Sequence, residues 1–174
     1  GEIINADSTQ VYKDLDIATA KVTKEEAEKI PHHLIDIKSI NEDYTVYHYQ
    51  QDSRKVIDEI LRKQKTPIMV GGTGLYIKAS LYDYEFQEET KNSNYENFNN
   101  DELYEMLPEK DPNTSIHKNN RKRVERALDY YANNEKPLSS KEKSNKLLYD
   151  AIFIGLTTER EILYDKINKR VDDM

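Results

Sequence analysis

Pro67-Ile68-Met69-Val70 runs straight into Gly71-Gly72-Thr73-Gly74-Leu75-Tyr76, and the reading of this junction decides the fold. The apolar run predicts a strand. The glycines allow a tight turn and close backbone approach. Residues 75–81 predict a helix leading out. Strand, glycine turn and helix is how an α/β protein builds a ligand site at the carboxyl end of a strand. The helix start then offers free N–H groups to an anion or a polar base. Most such junctions are only tight turns, so the signal needs a second stretch to support it. Asn5-Ala6-Asp7-Ser8-Thr9-Gln10-Val11-Tyr12 supplies one.

Working outward, the chain alternates strand and helix, which predicts a parallel sheet. Residues 1–4 read as a strand already under way. Thr23 with Glu26 forms a capping box that predicts a short helix, ended by Pro31. Residues 33–37 predict a short strand. Thr45 can cap a helix reaching about residue 63, with Val56, Ile57, Ile60 and Leu61 as its apolar stripe. Residues 87–101 are nearly all polar and predict no core element. A helix over 119–133 places Val124, Ala127, Leu128 and Tyr131 on one face. Residues 139–145 read as a polar linker. The unbroken run Ala151-Ile152-Phe153-Ile154-Gly155 predicts a fully buried strand. Thr158 and Glu161 suggest another cap, before a helix carrying Leu163, Ile167 and Val171.

Composition sets limits. The 174 residues suffice for one domain with a core, or a core plus an insertion. A charged fraction of 34% and a mean hydropathy of -0.93 predict much surface-rich helix. The net charge of -7 does not suggest nucleic-acid binding in total, so local patches matter. No cysteine is present, which excludes disulfides, thiolate metal sites and cysteine nucleophiles. No apolar run approaches the ~20 residues of a membrane span. A cytoplasmic protein is the expectation. Thirteen tyrosines against three phenylalanines and no tryptophan predict tyrosines at the core edge.

Asp7 falls just past the first strand, where open α/β sheets place ligands. A carboxylate there can accept a proton. It can equally cap the turn that follows. Ser8, Thr9 and Gln10 add hydrogen-bonding groups, and Gln suits a base edge because it offers donor and acceptor together. Residues 117–126 hold Lys118, Arg121, Lys122, Arg123 and Arg126 against one acid, Glu125. On a helical wheel Lys122, Arg123, Arg126 and Tyr130 share a sector away from the apolar face. Such a stripe suits a phosphate backbone, although more often it is a solvated face. The histidines have no metal-ligand spacing, and no Ser/His/Asp or GxSxG arrangement occurs.

Taken together, the motifs become specific. Asp7-Ser8-Thr9-Gln10-Val11-Tyr12, Asp16-Ile17-Ala18-Thr19-Ala20-Lys21, Pro31-His32-His33-Leu34-Ile35-Asp36, Val70-Gly71-Gly72-Thr73-Gly74-Leu75-Tyr76, and the stretch from Ile116-His117 to Arg126-Ala127-Leu128 occur in one order. In that order they resemble the tRNA dimethylallyltransferase family. The resemblance implies an α/β fold: a P-loop NTPase-like parallel sheet core with a mostly helical insertion, incomplete at both ends. Residues 1–82 would be catalytic core, 83–140 a tRNA-binding insertion, and 141–174 a return to core. It implies transfer of a dimethylallyl group from dimethylallyl diphosphate to N6 of adenosine 37 in the tRNA anticodon stem-loop, with Mg2+, by a monomer. Asp7 matches the family's general base. Asp7, Ser8, Thr9, Gln10 and Thr73 match tRNA-touching positions, as do Lys122, Arg123, Val124, Glu125 and Arg126.

One departure stands out. The family binds diphosphate with a P-loop, GxxxxGK[ST], and this sequence has none. The diphosphate-binding residues are therefore unassigned, no residue is assigned to metal, and the chain as it stands is expected to be inactive. Two rival classes follow: a P-loop nucleotide or metabolite kinase-like phosphotransferase, and a non-catalytic RNA-binding fragment. The polar stretch 88–100 is also expected to hide a break in covalent continuity, because a structureless run of that length is unusual inside a compact domain.

Overall fold

The computed structural model describes residues 1–84, 86, 95–140 and 146–173. The chain forms two compact units, Gly1–Glu85 with Ser144–Met174, and Phe86–Lys143.

The first unit is built on three parallel strands: β1 (Glu2–Asn5), β2 (His32–His33) and β3 (Pro67–Val70). Their order is β2-β1-β3, so β1 is central. Ile3 and Ile4 lie opposite His32 and His33 on one side, while Glu2 to Asn5 lie opposite Pro67 to Val70 on the other. Helix α1 (Val46–Arg62) provides the crossover into β3, and α2 (Gly74–Leu81) leaves it. Thr45 caps α1 as expected: its hydroxyl accepts the His48 amide, and the His48 ring accepts the Thr45 amide. The buried face of α1 is Tyr49, Gln50, Ser53, Ile57 and Ile60, and Leu61 of the expected stripe turns outward. Ser53 and Ser80 share a 2.6 Å hydrogen bond, close enough that only small side chains fit where α1 meets α2. Arg54 donates to the carbonyls of Ala79, Ser80 and Tyr82, satisfying groups that the end of α2 leaves open.

Tyr44, Tyr49 and Tyr76 lie in the core, the first two with their hydroxyls partnered. Tyr49 stacks on Tyr76 at 3.9 Å between ring centroids. The Tyr49 hydroxyl donates to the Asn5 carbonyl, and that of Tyr44 donates to Asp52. Ile4, Ala6, Val11, Leu34, Ile57 and Ile60 complete this core.

Three expected elements take another form. Residues 23–31 make one capped turn, with the Thr23 and Glu26 bonds in place. Glu28 and Lys29 then enter the left-handed region at φ 45° and 66°, which ends any helix. The strand expected over 33–37 stops at His33, because Leu34 and Asp36 are left-handed at φ 63° and 54°. Residues 151–155 form no strand. Ile152 and Ile154 are 92% and 84% exposed. An apolar run becomes a strand only beside a free edge that bonds to it, and among the described residues no strand pairs with this one. Helix α6 (Arg160–Asp173) forms, with Leu163, Ile167 and Val171 on its surface.

The second unit contains α3 (Asn100–Glu105), α4 (Leu107–Lys110), α5 (Arg121–Asn134) and a 3-10 turn at Leu138–Ser140. Its core is Leu103, Leu107, Val124, Ala127 and Leu128. Asn99 and Glu102 form a capping box that starts α3 inside the stretch expected to lack structure. Residues 88–94 of that stretch lie outside the described residues, and so does that part of the window expected to hold a break. Asp111 is buried and accepts from both the amide and the hydroxyl of Ser139.

Glu2 is nearly fully buried at the start of β1, yet carries three cationic or imidazole neighbours. Lys65 lies at 2.8 Å, His33 at 2.7 Å and Lys63 at 3.4 Å. Hydrogen bonds from Lys65 and His33 hold its carboxyl at about 2, below its ordinary 4.5. A folded-state pKa below the unfolded value stabilises the fold above the unfolded value, and this stability is lost as pH falls toward the folded one. Glu2→Gln is therefore expected to lower Tm at pH 7 and to flatten the acid limb between about 4.5 and about 2. Thermal melts across that window check it; an acid limb identical to wild type contradicts it.

Candidate active site

The end of β1 meets the glycine turn after β3, and the backbone does the joining. Ala6 donates to Val70 O at 2.7 Å, and Thr73 donates back to Ala6 O at 3.1 Å. Gly71 sits between them. A Cβ there would overlap the Ala6 carbonyl and come 2.7 Å from the Asp7 amide nitrogen. Glycine is needed here for close approach. At Gly72 and Gly74 a Cβ would meet nothing within 4 Å.

Thr73 precedes α2 but its hydroxyl does not cap it. That hydroxyl crosses to the other loop instead, accepting the Ser8 amide at 3.1 Å and donating to Ser8 Oγ at 3.3 Å. Asp7 accepts from the Thr9 amide at 2.8 Å and the Thr9 hydroxyl at 2.6 Å. It thus caps the turn, as one of its two expected roles requires. Partial burial pushes its carboxyl up. The bonds from Thr9 and from the Gln10 backbone outweigh that and hold it below the usual carboxylate range. Asp7 is therefore ionised at neutral pH and can accept a proton.

Gln10 is anchored by its own loop. Its Nε2 donates to Thr19 O at 2.9 Å and Ala20 O at 3.2 Å. Two carbonyls on one atom fix the amide orientation, so the oxygen is what remains for an outside donor. Lys21 holds the same loop. Its side chain is only 6% exposed, and Nζ reaches Tyr12 O at 2.8 Å and Asp16 and Asp36 at 2.7 Å each. Burial pushes the ammonium's pKa down, but the two carboxylates outweigh it and the net shift is upward. Between these anchors Asp14, Ala18 and Ala20 are left-handed, a conformation that alanine holds only when neighbours enforce it.

Asp7, Ser8, Thr9, Gln10 and Thr73 therefore share one end of the sheet in the first unit. Lys122, Arg123, Val124, Glu125 and Arg126 lie on α5 in the second. Lys122, Arg123 and Arg126 are exposed. Val124 is 0% exposed in that unit's core, so its side chain is not available to a ligand. Glu125 pairs with Arg121 at 2.7 Å. Tyr130 was expected beside the basic sector and is instead buried, with Asp129 next to it. The helix buries a wider arc than its apolar residues mark, because the Tyr95 hydroxyl reaches Asp129. An open groove of about 470 Å³ runs along α2, lined by Gly74, Ile77, Lys78, Tyr82 and Phe153, and does not include Asp7.

Two residues quoted within the motifs, but assigned no role of their own, belong to this arrangement. Asn5 is buried and Lys21 has a largely enclosed side chain, and both are bonded to loops around Asp7 and Gln10. Among the described residues no group of three or more His, Cys, Asp or Glu comes together as a metal site. No residue here is assigned to magnesium.

No helix among the described residues is long and apolar enough to cross a membrane. The chain is 50% identical to a tRNA dimethylallyltransferase of Anoxybacillus flavithermus over 182 residues, covering 100% of this chain and 58% of that protein. It is 46% identical to one of Macrococcus caseolyticus, covering 98% of this chain and 58% of that protein. The chain thus spans under two thirds of the length of these relatives. Among solved structures, a eukaryotic dimethylallyltransferase acting on tRNA superposes with a TM-score of 0.83 at 33% identity, over 99% of this chain and 46% of that one. A tRNA Δ2-isopentenylpyrophosphate transferase from Staphylococcus epidermidis gives 0.63 at 45% identity, over 99% and 60%. The family model described as IPP transferase matches residues 10–174, nearly the whole chain, and this chain belongs to that family.

Proposed function

We propose that this chain is the larger part of an enzyme that transfers a dimethylallyl group from dimethylallyl diphosphate to N6 of an adenosine beside the tRNA anticodon. One observation carries the reading: an ionised Asp7, oriented by Thr9 and Gln10, stands at the carboxyl end of the central strand beside the Gly71 turn. An adenine amine is a poor nucleophile. As its C–N bond forms at the allylic carbon, the C–O bond to diphosphate breaks and the diphosphate leaves with the electron pair. The nitrogen becomes positively charged and its proton highly acidic. A carboxylate of low pKa suffices to take that proton. The target base must leave the anticodon-loop stack to reach Asp7.

The three parallel strands fit part of a P-loop NTPase-like core. Binding of the diphosphate and of the magnesium it brings falls to residues not assigned in this chain. When bound, magnesium would neutralise charge on the leaving diphosphate. A cytoplasmic monomer acting on the anticodon stem-loop is the expected working form. The test incubates full-length protein with tRNA and either labelled dimethylallyl diphosphate or labelled ATP. Label in N6-modified adenosine from the first alone is the expected result. Label transferred only from ATP would favour the phosphotransferase, and binding without transfer an RNA-binding module.

Lys122, Arg123 and Arg126 are proposed to meet tRNA phosphates. Arg123→Ala is expected to weaken tRNA binding and to reduce the log–log salt slope by about 0.7–0.9 per lost phosphate contact. Binding titrations from low to high salt check it. Unchanged affinity and slope would make the stripe ordinary solvated surface.

A further inference from the structure

Asn5 closes β1 and is 3% exposed. Its side chain is used at both ends. Oδ1 accepts the Asp7 amide at 3.0 Å. Nδ2 donates to Asp7 O at 3.1 Å and to Leu34 O at 3.0 Å. The orientation of the amide is forced, since one end faces an N–H and the other two carbonyls. Neither aspartate nor leucine, though similar in shape, could make this set. The backbone of Asn5 is itself pinned, because the Tyr49 hydroxyl donates to its carbonyl at 2.7 Å. Leu34 is buried and left-handed at φ 63°, so the loop after β2 is held at a strained point by the same side chain that holds Asp7.

We propose that Asn5 is a positioning residue for the reaction: it fixes the backbone of Asp7 on both sides of its Cα, and so fixes where the carboxylate stands. The proposal rests on the reading of Asp7 as the proton acceptor. Asn5 is buried and would act through Asp7 rather than by touching substrate. Its removal leaves the Asp7 amide, the Asp7 carbonyl and the Leu34 carbonyl without these partners, and Asp7 is free to shift. A displacement of about 1 Å at a reacting group costs up to about 10²-fold in rate.

The test uses the full-length enzyme with tRNA and dimethylallyl diphosphate. Asn5→Ala is expected to lower kcat by about 10–100-fold, with KM for both substrates nearly unchanged. Asn5→Ser should recover part of kcat, because a serine hydroxyl can accept the amide two residues on while it cannot also serve Leu34. Circular dichroism and Tm are read on each variant. A kcat within twofold of wild type for Asn5→Ala overturns the proposal. So does a fall in kcat that merely tracks the folded fraction. If Asn5→Ala does not fold, Asn5→Ser decides: reduced kcat at unchanged KM supports positioning, and unchanged kcat overturns it. An Asp7→Asn control separates the two claims. Full activity there removes the reading of Asp7 itself, whereas an inactive Asp7→Asn beside a normal Asn5→Ala removes positioning alone.

Discussion

Asp7→Asn in the full-length enzyme is expected to lower kcat by about 10²–10⁴-fold, the usual contribution of a positioned acid or base. Asparagine keeps the shape and can keep an oxygen toward the Thr9 amide and hydroxyl, which lie at 2.8 and 2.6 Å from the carboxylate. The turn therefore survives, and Tm should hardly move. What is lost is the negative charge that receives the N6 proton. Binding of tRNA should change little, because Asp7 is one contact among many in a site whose affinity comes mainly from phosphates. Single-turnover transfer and tRNA binding, measured on the same preparation, check both halves. A rate near wild type would rule out the role.

Gly71→Ala is the second large effect, and its origin is steric. The added methyl would overlap the Ala6 carbonyl and press on the Asp7 amide, both of them backbone atoms that cannot rotate away. To make room, the turn must retreat from the end of β1. That strains the Ala6–Val70 and Thr73–Ala6 hydrogen bonds, now 2.7 and 3.1 Å. Overpacking of this kind costs about 1–3 kcal/mol, and the retreat moves the Thr73 hydroxyl off Ser8. Stability and kcat should both fall. Gly72→Ala is the control, since its Cβ would meet nothing within 4 Å. Denaturant unfolding should place Gly72→Ala within about 0.5 kcal/mol of wild type. Equal effects from the two substitutions would contradict the steric account.

Much of this arrangement was legible in the sequence. The strand at 67–70, the glycine turn, the Thr45 cap and the buried Val124, Ala127 and Leu128 follow from local chemistry: hydrophobic period, capping residues and glycine. The placement of Asp7 follows from where α/β sheets put ligands. The region between Asp14 and Lys38 was not legible, and the reason is physical. Its shape is set by bonds from Asn5, Gln10 and Lys21, which hold Ala18, Ala20 and Leu34 in left-handed conformations that such residues rarely choose alone. Thr23 and Glu26 make a genuine capping box, yet no helix continues, because Glu28 and Lys29 turn the other way. Nothing in the local pattern marks the Lys21 side chain as enclosed; Tyr12 O, Asp16 and Asp36, the last fifteen residues on, hold it together. Residues 151–155 carry a buried strand's composition, which specifies a strand's chemistry without supplying the neighbour that makes one. By contrast, α3 could have been found, since Asn99 and Glu102 are spaced as a capping box.

The most direct measurement of the central claim is chemical rescue at Asp7. Single-turnover transfer of the labelled dimethylallyl group to tRNA is followed for wild type, Asp7→Asn and Asp7→Ala, with and without added formate. If Asp7 receives the N6 proton, both variants lose most of their rate, and formate restores part of it to Asp7→Ala, where the truncated side chain leaves room for a carboxylate, without accelerating wild type or Asp7→Asn. Wild-type rates in either variant without formate would contradict the claim.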